Sequence, residues 1–165
     1  MVPIVIDPQR TKIGLAGEGE ARARRLAMLR AAGVEPVPVS PGDRLEGLGL
    51  LYIAGLEAAS SAELARHAQA ARVPVNVEDR PDLCDFHAPA IVRRGGLLLT
   101  VSTSGRAPGL ASRLREWLER HFDASWDGRL DELRQARTLW RSQGVSAGEI
   151  AERTRRIIDQ KGWLA

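Results

Sequence analysis

Polar side chains that can bind ligands and move protons follow two apolar runs near the middle of the chain. The run over residues 73–77 predicts a buried strand, and Glu78 and Asp79 come directly after it. A second apolar run, over residues 97–102, ends in a loop of hydroxyl-bearing and small residues followed by an arginine: Ser102, Thr103, Ser104, Gly105 and Arg106. Ligands of open α/β sheets bind outside the carboxyl ends of the strands. We therefore expect Asp79 to act as a general base and the loop to bind an anion or a carboxylate. The alternatives are a turn or cap role for Asp79 and simple helix capping by the hydroxyls.

A glycine turn near the N-terminus predicts a nucleotide site. Gly17-x-Gly19 stands between a predicted strand over residues 12–16 and a predicted helix over residues 21–32. Such a turn lets the backbone approach a pyrophosphate at the helix N-terminus. The dinucleotide-binding pattern G-x-G-x-x-G/A has a small residue at the position that Arg22 occupies here. Asp43 directly follows Pro41-Gly42 and can reach a ribose hydroxyl. A structural turn without a nucleotide is the alternative.

Few side chains in this sequence suit a metal site. Cys84 is the only cysteine, so an intrachain disulfide is excluded, and it has no partner at zinc-ligand spacing. His87 is a candidate acid/base group or metal ligand, with a packed or hydrogen-bonded histidine as the alternative. His67 and His121 lie on predicted helices and are interpreted as structural. We expect no metal held by the protein itself.

The charged residues favour a small polyanionic ligand. Lys12 and Lys161 are the only lysines among 24 basic residues, and arginine forks bind carboxylates and phosphates. One tyrosine, two phenylalanines and no basic run interleaved with aromatics argue against nucleic acid. No apolar run reaches membrane-spanning length and the N-terminus lacks a signal-peptide pattern, so we expect a cytoplasmic protein.

The alternation of elements predicts an α/β fold. We expect a Rossmann-like, doubly wound, mostly parallel sheet over residues 1–108, followed by an all-helical dimerisation region over residues 109–165. The predicted strands cover residues 2–6, 12–16, 35–39, 50–53, 73–77, 89–93 and 97–102. The predicted helices cover residues 21–32, 60–72, 110–122, 126–143 and 146–161, with capping boxes Ser60–Glu63 and Ser146–Glu149. The large apolar helix faces pack either on the sheet or on a second copy of the chain.

Several ordered motifs resemble precorrin-2 dehydrogenases, the dehydrogenase/ferrochelatase module of siroheme synthase. The motifs are Val75-Asn76-Val77-Glu78-Asp79-Arg80-Pro81, Phe86-His87-x-Pro89-Ala90-Ile91-Val92-Arg93-Arg94-Gly95, Val101-Ser102-Thr103-Ser104-Gly105-Arg106-Ala107-Pro108 and Leu110-Ala111-x-Arg113-Leu114-Arg115. The resemblance spans about residues 2–119 and implies NAD-dependent oxidation of precorrin-2 to sirohydrochlorin. In some members the same site then inserts ferrous or cobalt ion as a substrate. The family forms a homodimer through its helical region.

The resemblance also implies roles for individual residues. Asp79 takes the place of the family's proton acceptor, and Thr103 that of the serine lining the tetrapyrrole cleft. The expected nucleotide contacts are Gly17, Gly19, Glu20, Ala21, Pro41 and Gly42. The expected substrate contacts are Ser102, Thr103, Ser104, Gly105, Arg106, His87 and Arg113. Precorrin-2 carries eight carboxylates, for which Arg93, Arg94, Arg106, Arg113 and Arg115 are candidate partners.

Three departures from the family pattern lie on the nucleotide side. They are Arg22, the sequence Gly55-Leu56-Glu57 after the strand over residues 50–53, and the short link over residues 43–50. These departures leave a second interpretation open, a sirohydrochlorin chelatase or tetrapyrrole-binding protein whose nucleotide site has decayed. A third interpretation, from another class, is a nucleotide-sensing regulatory domain.

Overall fold

The computed structural model describes residues 2–164, which divide into two compact units. The first unit extends to Ala88 and the second begins at Pro89. Within residues 2–164, no helix combines the length and the apolar character needed to cross a bilayer.

The first unit is a parallel four-stranded sheet with helices on both faces. Its elements are β1 (Ile13–Gly17), α1 (Gly19–Arg30), β2 (Val37–Val39), β3 (Leu50–Ala54), α2 (Ala58–Ala70), β4 (Val75–Val77) and a 3₁₀ turn (Pro81–Leu83). The strand order is β2-β1-β3-β4, and every neighbouring pair is parallel. The predicted Rossmann-like α/β fold is confirmed.

The two faces of this sheet are covered differently. On one face α1 packs its Leu29 against Ile13, Leu15 and Leu50. On the other face α2 packs beside residues 40–49, which cross from β2 to β3 without a helix. Leu45 in this crossing segment is 1% exposed and fills the space that a helix would otherwise occupy. The short link over residues 43–50 therefore still covers this side of the hydrophobic core.

The second unit begins with a β-hairpin and continues as three helices. Its elements are β5 (Ala90–Arg94), β6 (Leu97–Val101), α3 (Pro108–His121), α4 (Ser125–Ser142) and α5 (Ala147–Gln160). β5 and β6 pair with each other in antiparallel register and form a separate two-stranded sheet. The expectation that the run over residues 97–102 lies in the parallel sheet is wrong, because this strand hydrogen-bonds to β5 across the two-residue Gly95-Gly96 turn.

The hairpin also affects where the chain divides. The sequence placed the boundary after residue 108, whereas the compact units divide between Ala88 and Pro89. The reason is that α3 packs on β5 and β6, so the hairpin shares a core with the helices that follow it.

Two local predictions are wrong. Residues 2–6 form no strand, and Val2, Ile4 and Val5 are 84%, 73% and 82% exposed, since this segment pairs with no strand among the described residues. Helix α2 begins at Ala58 with Glu57 as the cap residue, so Ser60 lies inside the helix and caps nothing. Ser146 does cap α5, because its Oγ accepts the Glu149 N–H at 3.3 Å.

Candidate functional site

Two glycine turns meet at the carboxyl ends of β1 and β3, where folds of this class have their ligand crevice. The chain leaves these neighbouring strands toward opposite sides of the sheet, which is the topological switch point where such folds bind ligands. Gly17 has φ +126°, and a Cβ there would lie 1.6 Å from the Ala54 carbonyl oxygen. Gly55 has φ +78°, and its Cβ would lie 2.2 Å from the Glu18 carbonyl oxygen. The two turns touch so closely that neither position accommodates a side chain.

The N-terminus of α1 faces open space above this crevice. Gly19 has φ +63°, and a Cβ at this residue would meet no atom within 4 Å. No side chain caps α1, so N–H groups of its first turn remain available to a ligand. The backbone here requires glycine, the space above it is open, and the helix N–H groups point into that space. These three features fit the pyrophosphate of a dinucleotide. Gly17, Gly19, Glu20 and Ala21 lie at this turn and at the start of α1, and their contact with a nucleotide stays a prediction.

The structure accounts for two of the departures noted on the nucleotide side. The Cβ of Ala21 lies 3.3 Å from the position that a Cβ on Gly55 would take. Ala21 therefore provides the small side chain at the helix–strand contact, and Arg22 does not need to be small. Sequence reasoning missed this role of Gly55, although a glycine directly after a strand was the available signal.

Pro41 and Gly42 lie in the exposed turn that follows β2. The Asp43 carboxylate accepts the Ser40 N–H at 2.7 Å, so one of its oxygens is used to close this turn. Pro41 and Gly42 also line a shallow groove of about 340 Å³, with Glu63, Leu64, Arg66, His67 and Ala70 of α2 as the opposite wall.

Asp79 lies at the carboxyl edge of the same sheet, in a tight turn after β4. The Glu78 N–H donates to the Ile53 carbonyl oxygen at 2.9 Å, and the Arg80 N–H donates to the Val77 oxygen at 3.3 Å. Asp79 itself has φ +58°, in the left-handed region that most residues avoid, and its side chain is exposed. This backbone strain at an exposed carboxylate is of the kind that functional sites retain.

The residues after Asp79 secure the edge strand β4 with side chains in place of a fifth strand. The Val77 N–H donates to the Cys84 Sγ at 3.2 Å, and the Val75 N–H donates to the Asp85 Oδ2 at 3.0 Å. The buried Asn76 donates from its Nδ2 to the Phe86 carbonyl oxygen at 2.9 Å. Cys84 is therefore a structural thiol that supports the turn carrying Asp79, a role that sequence reasoning missed.

Tyr52 occupies the sheet face on which α1 packs. Its ring meets Phe86 edge to face at 5.2 Å, and the Arg25 guanidinium lies 4.8 Å from the ring centroid. Burial raises the pKa of the Tyr52 hydroxyl, and the nearby Arg25 charge opposes that rise in part. The phenol is therefore protonated and uncharged at neutral pH.

The hydroxyl-rich loop belongs to the second unit and leads into α3. Ser104 and Gly105 both have positive φ, +57° and +74°, and the Arg106 N–H closes their turn on the Thr103 oxygen at 3.0 Å. Ser102 Oγ accepts the Ser104 N–H, and Thr103 Oγ1 accepts the Ala107 N–H, each at 3.3 Å. Two of the three hydroxyls thus support the turn, while the exposed Ser104 makes no side-chain hydrogen bond among the described residues.

The candidate arginines differ in what their guanidinium groups already bind. Arg94 is committed to main-chain oxygens, with Nε to Phe122 at 2.6 Å, Nη2 to Glu119 at 3.1 Å and Nη1 to its neighbour Arg93 at 2.9 Å. It therefore caps the C-terminus of α3 and is not available to a carboxylate ligand. Arg113 pairs with Glu116 at 2.7 Å. Arg106 is exposed and has no side-chain partner within residues 2–164.

Metal-ligating side chains do not gather in the described part of the chain. Within residues 2–164 there is no group of three His, Cys, Asp or Glu residues placed to hold an ion. His87 is exposed and lies near the end of the first unit.

Comparisons with known proteins agree with this geometry. A family model described as "Putative NAD(P)-binding" matches residues 4–90, which is more than half of the chain. The chain belongs to this NAD(P)-binding family. The match covers all four strands of the parallel sheet and both glycine turns, so the predicted NAD(P) cofactor class is confirmed.

The NAD(P)-binding chain is also similar to siroheme synthases. It is 34% identical to the siroheme synthase of Methylobacillus flagellatus over 70% of its own length and 30% of the relative's. It is 32% identical to the siroheme synthase of Azotobacter vinelandii over 92% of its own length and 40% of the relative's. The chain therefore spans about a third of the length of these curated relatives.

A solved structure shares the fold of both units. It is named "SirC, precorrin-2 dehydrogenase" and is 21% identical, with a TM-score of 0.76 over 100% of this chain and 93% of that one. The siroheme synthase relatives confirm the resemblance to the siroheme synthase module that the sequence motifs indicated, and the solved structure shows that the fold is shared. The individual site residues remain predictions.

Proposed function

We propose that the protein oxidises precorrin-2 to sirohydrochlorin with NAD⁺. The observation that carries this proposal is the placement of Asp79 at the same sheet edge as the glycine-lined crevice, within one compact unit. A dinucleotide site and a positioned base are the two parts that such an oxidation requires. The names of the siroheme synthase relatives and of the structural neighbour supply the substrate.

The chain's own residues would bind the cofactor and handle the proton. Gly17, Gly19, Glu20 and Ala21 would hold the pyrophosphate against the N-terminus of α1. Bound there, NAD⁺ would supply the acceptor for the hydride that the substrate loses. Asp79 would accept the proton that leaves the neighbouring position of the substrate, and its exposure lets it pass that proton to water. The balance is precorrin-2 and NAD⁺ giving sirohydrochlorin, NADH and one proton.

The hydroxyl-rich loop and the start of α3 would contribute groups that recognise the tetrapyrrole carboxylates. Arg106 is the strongest candidate, because its guanidinium has no partner within the described residues. The Ser104 hydroxyl and the Gly105 N–H belong to the same exposed turn. Ser102, Thr103, Arg113 and His87 complete the proposed set. The Arg113 guanidinium would have to leave the Glu116 carboxylate in order to bind a carboxylate of the ligand.

Insertion of ferrous or cobalt ion into sirohydrochlorin is a second proposed activity of the same site. Metal insertion requires two protons to leave the macrocycle, and Asp79 would again be the acceptor. The ion would arrive as a substrate.

A homodimer formed through α3 is part of the proposal. Leu110, Leu114 and Trp117 recur at helical spacing and are 54%, 40% and 46% exposed. His121 extends this stripe, with its ring stacked on that of Trp117 at 3.8 Å. An apolar stripe of this length on one helix is typical of a protein–protein interface.

We also place the reaction in the cytoplasm. Cys84 is a free thiol whose sulfur is engaged in supporting the turn that carries Asp79, an arrangement that a reducing compartment preserves.

The deciding experiment is an anaerobic reaction of the purified protein with enzymatically generated precorrin-2 and NAD⁺. The absorption of sirohydrochlorin and that of NADH should rise together in equal amounts. The matched control is Asp79→Asn, which should bind both ligands and form neither product at the normal rate. If sirohydrochlorin binds but neither product forms in the unaltered protein, the dehydrogenase proposal is wrong and the chelatase or carrier alternative replaces it.

A further inference from the structure

One arginine of α1 is held at the nucleotide edge by acidic residues. Arg24 Nη2 lies 3.5 Å from Glu78 Oε1 at the end of β4, and Arg24 Nη1 lies 4.0 Å from Glu20 Oε2 in the first turn of α1. Side chains on a helix point back toward its N-terminus. The guanidinium therefore lies between the start of α1 and the residue that precedes Asp79.

Arg24 is a basic side chain surrounded by acidic residues. Acidic residues follow β1, β3 and β4 at this edge or lie in the first turn of α1: Glu18, Glu20, Glu57, Glu78 and Asp79. A pyrophosphate brought to the crevice would meet this negative charge. Arg25 is turned away, because its guanidinium stacks on Tyr52 over one face of the sheet.

The geometry points to Arg24 as a ligand-binding cation that Glu78 holds until the dinucleotide arrives. We propose that the pyrophosphate of the cofactor takes the Arg24 guanidinium from Glu78. This inference rests on the proposed function, since it assumes that the crevice binds a dinucleotide. Arg24 would bind the phosphates, and the Glu78 carboxylate would compete with them for the Arg24 guanidinium.

The form of the ion pair suits such an exchange. The Arg24 side chain is 66% exposed, and the contact to Glu78 is a single long one. Ion pairs of this kind contribute little to stability, so they open at low cost. A guanidinium also binds two phosphate oxygens at once through its planar fork. This bidentate interaction is stronger than a single long contact to a carboxylate.

Two substitutions distinguish this role from a structural ion pair. If the pair only stabilises the fold, Arg24→Ala and Glu78→Gln remove the same interaction and should act alike. If the pyrophosphate competes with Glu78, the substitutions should shift affinity in opposite directions. Arg24→Ala should weaken binding of NAD⁺ and of ADP-ribose by about 10-fold or more. Glu78→Gln should tighten both by up to about 5-fold.

The measurement is calorimetric or fluorescence titration of the purified full chain with NAD⁺ and with ADP-ribose. Arg24→Lys keeps the charge and should recover part of the loss. The matched control is Arg30→Ala at the other end of α1, where Arg30 pairs with Glu35 at 2.8 Å, and it should leave affinity unchanged.

Failure of this inference is distinguishable from failure of the proposed function. Normal NAD⁺ affinity in Arg24→Ala, or weakened affinity in Glu78→Gln, overturns the assignment of these two residues while the dehydrogenase proposal stands. Absence of NAD⁺ and ADP-ribose binding in the unaltered protein overturns both.

Discussion

At the scale of single residues, the left-handed backbone of Asp79 decides which substitution tests the proposed base. Asparagine tolerates φ near +58°, whereas alanine there costs about 1 kcal/mol of backbone strain. Asp79→Asn should lower dehydrogenase turnover by about 10²-fold or more while the thermal midpoint changes little. Asp79→Ala should lose the same activity and also stability. Near-normal turnover in a folded Asp79→Asn variant would remove Asp79 from the role of base.

The glycines of the crevice give a second residue-scale prediction. Gly19→Ala should cost only about 1 kcal/mol of stability, because its methyl meets no atom, but the methyl would occupy the open cradle and weaken NAD⁺ binding. Gly17→Ala should destabilise by at least about 3 kcal/mol, since its methyl would strike the Ala54 oxygen. Urea unfolding and NAD⁺ titration of both variants separate the two effects. If Gly19→Ala and the unaltered protein bind NAD⁺ with equal affinity, the proposed pyrophosphate site at Gly19 is wrong.

At the scale of elements, the C-terminus of α3 depends on an arginine from the hairpin. Arg94 donates three hydrogen bonds to main-chain oxygens, and its neighbour Arg93 is exposed. Arg94→Ala should lower the free energy of unfolding by about 1.5–3 kcal/mol. Arg93→Ala should change it by about 0.5 kcal/mol or less. Urea unfolding measures both, and equal losses in the two variants would exclude the capping role.

The elements also show what periodicity can and cannot predict. The apolar runs of β1, β3 and β4 and the amphipathic helices of the second unit lie where the sequence placed them. The segment over residues 2–6 has the same apolar character as a strand but finds no partner within the described chain. A strand is defined by hydrogen bonds to its neighbour, and hydrophobicity alone does not specify that neighbour.

At the scale of the whole molecule, the exposed stripe on α3 predicts the oligomeric state. Leu114→Glu combined with Trp117→Glu places two charges in the proposed interface and should convert a dimer into a monomer. Ser112→Glu is the matched control, because Ser112 is exposed on the opposite side of the same helix. Light scattering after size-exclusion chromatography gives the masses. A monomer in the unaltered protein at all concentrations would contradict the interface.

The sequence by itself determined the class of fold, the glycine turn and the position of Asp79 at a strand end. These features depend on local patterns, such as apolar periodicity, glycine spacing and the polar residue that follows a strand. The family resemblance likewise depended on short contiguous motifs. Each of these signals is contained in a few consecutive residues, so no knowledge of distant contacts was needed.

Only the tertiary structure decided how those local features combine. It brought Gly55 against Glu18, committed Arg94 to the end of α3 and joined Arg24 to Glu78. In each case the partners are separated in sequence, or two pairings are compatible with the same local pattern. The left-handed conformation of Asp79 likewise follows from a turn whose support comes from Cys84, five residues further on. Long-range hydrogen bonds and close packing determine these choices, and no single segment encodes them.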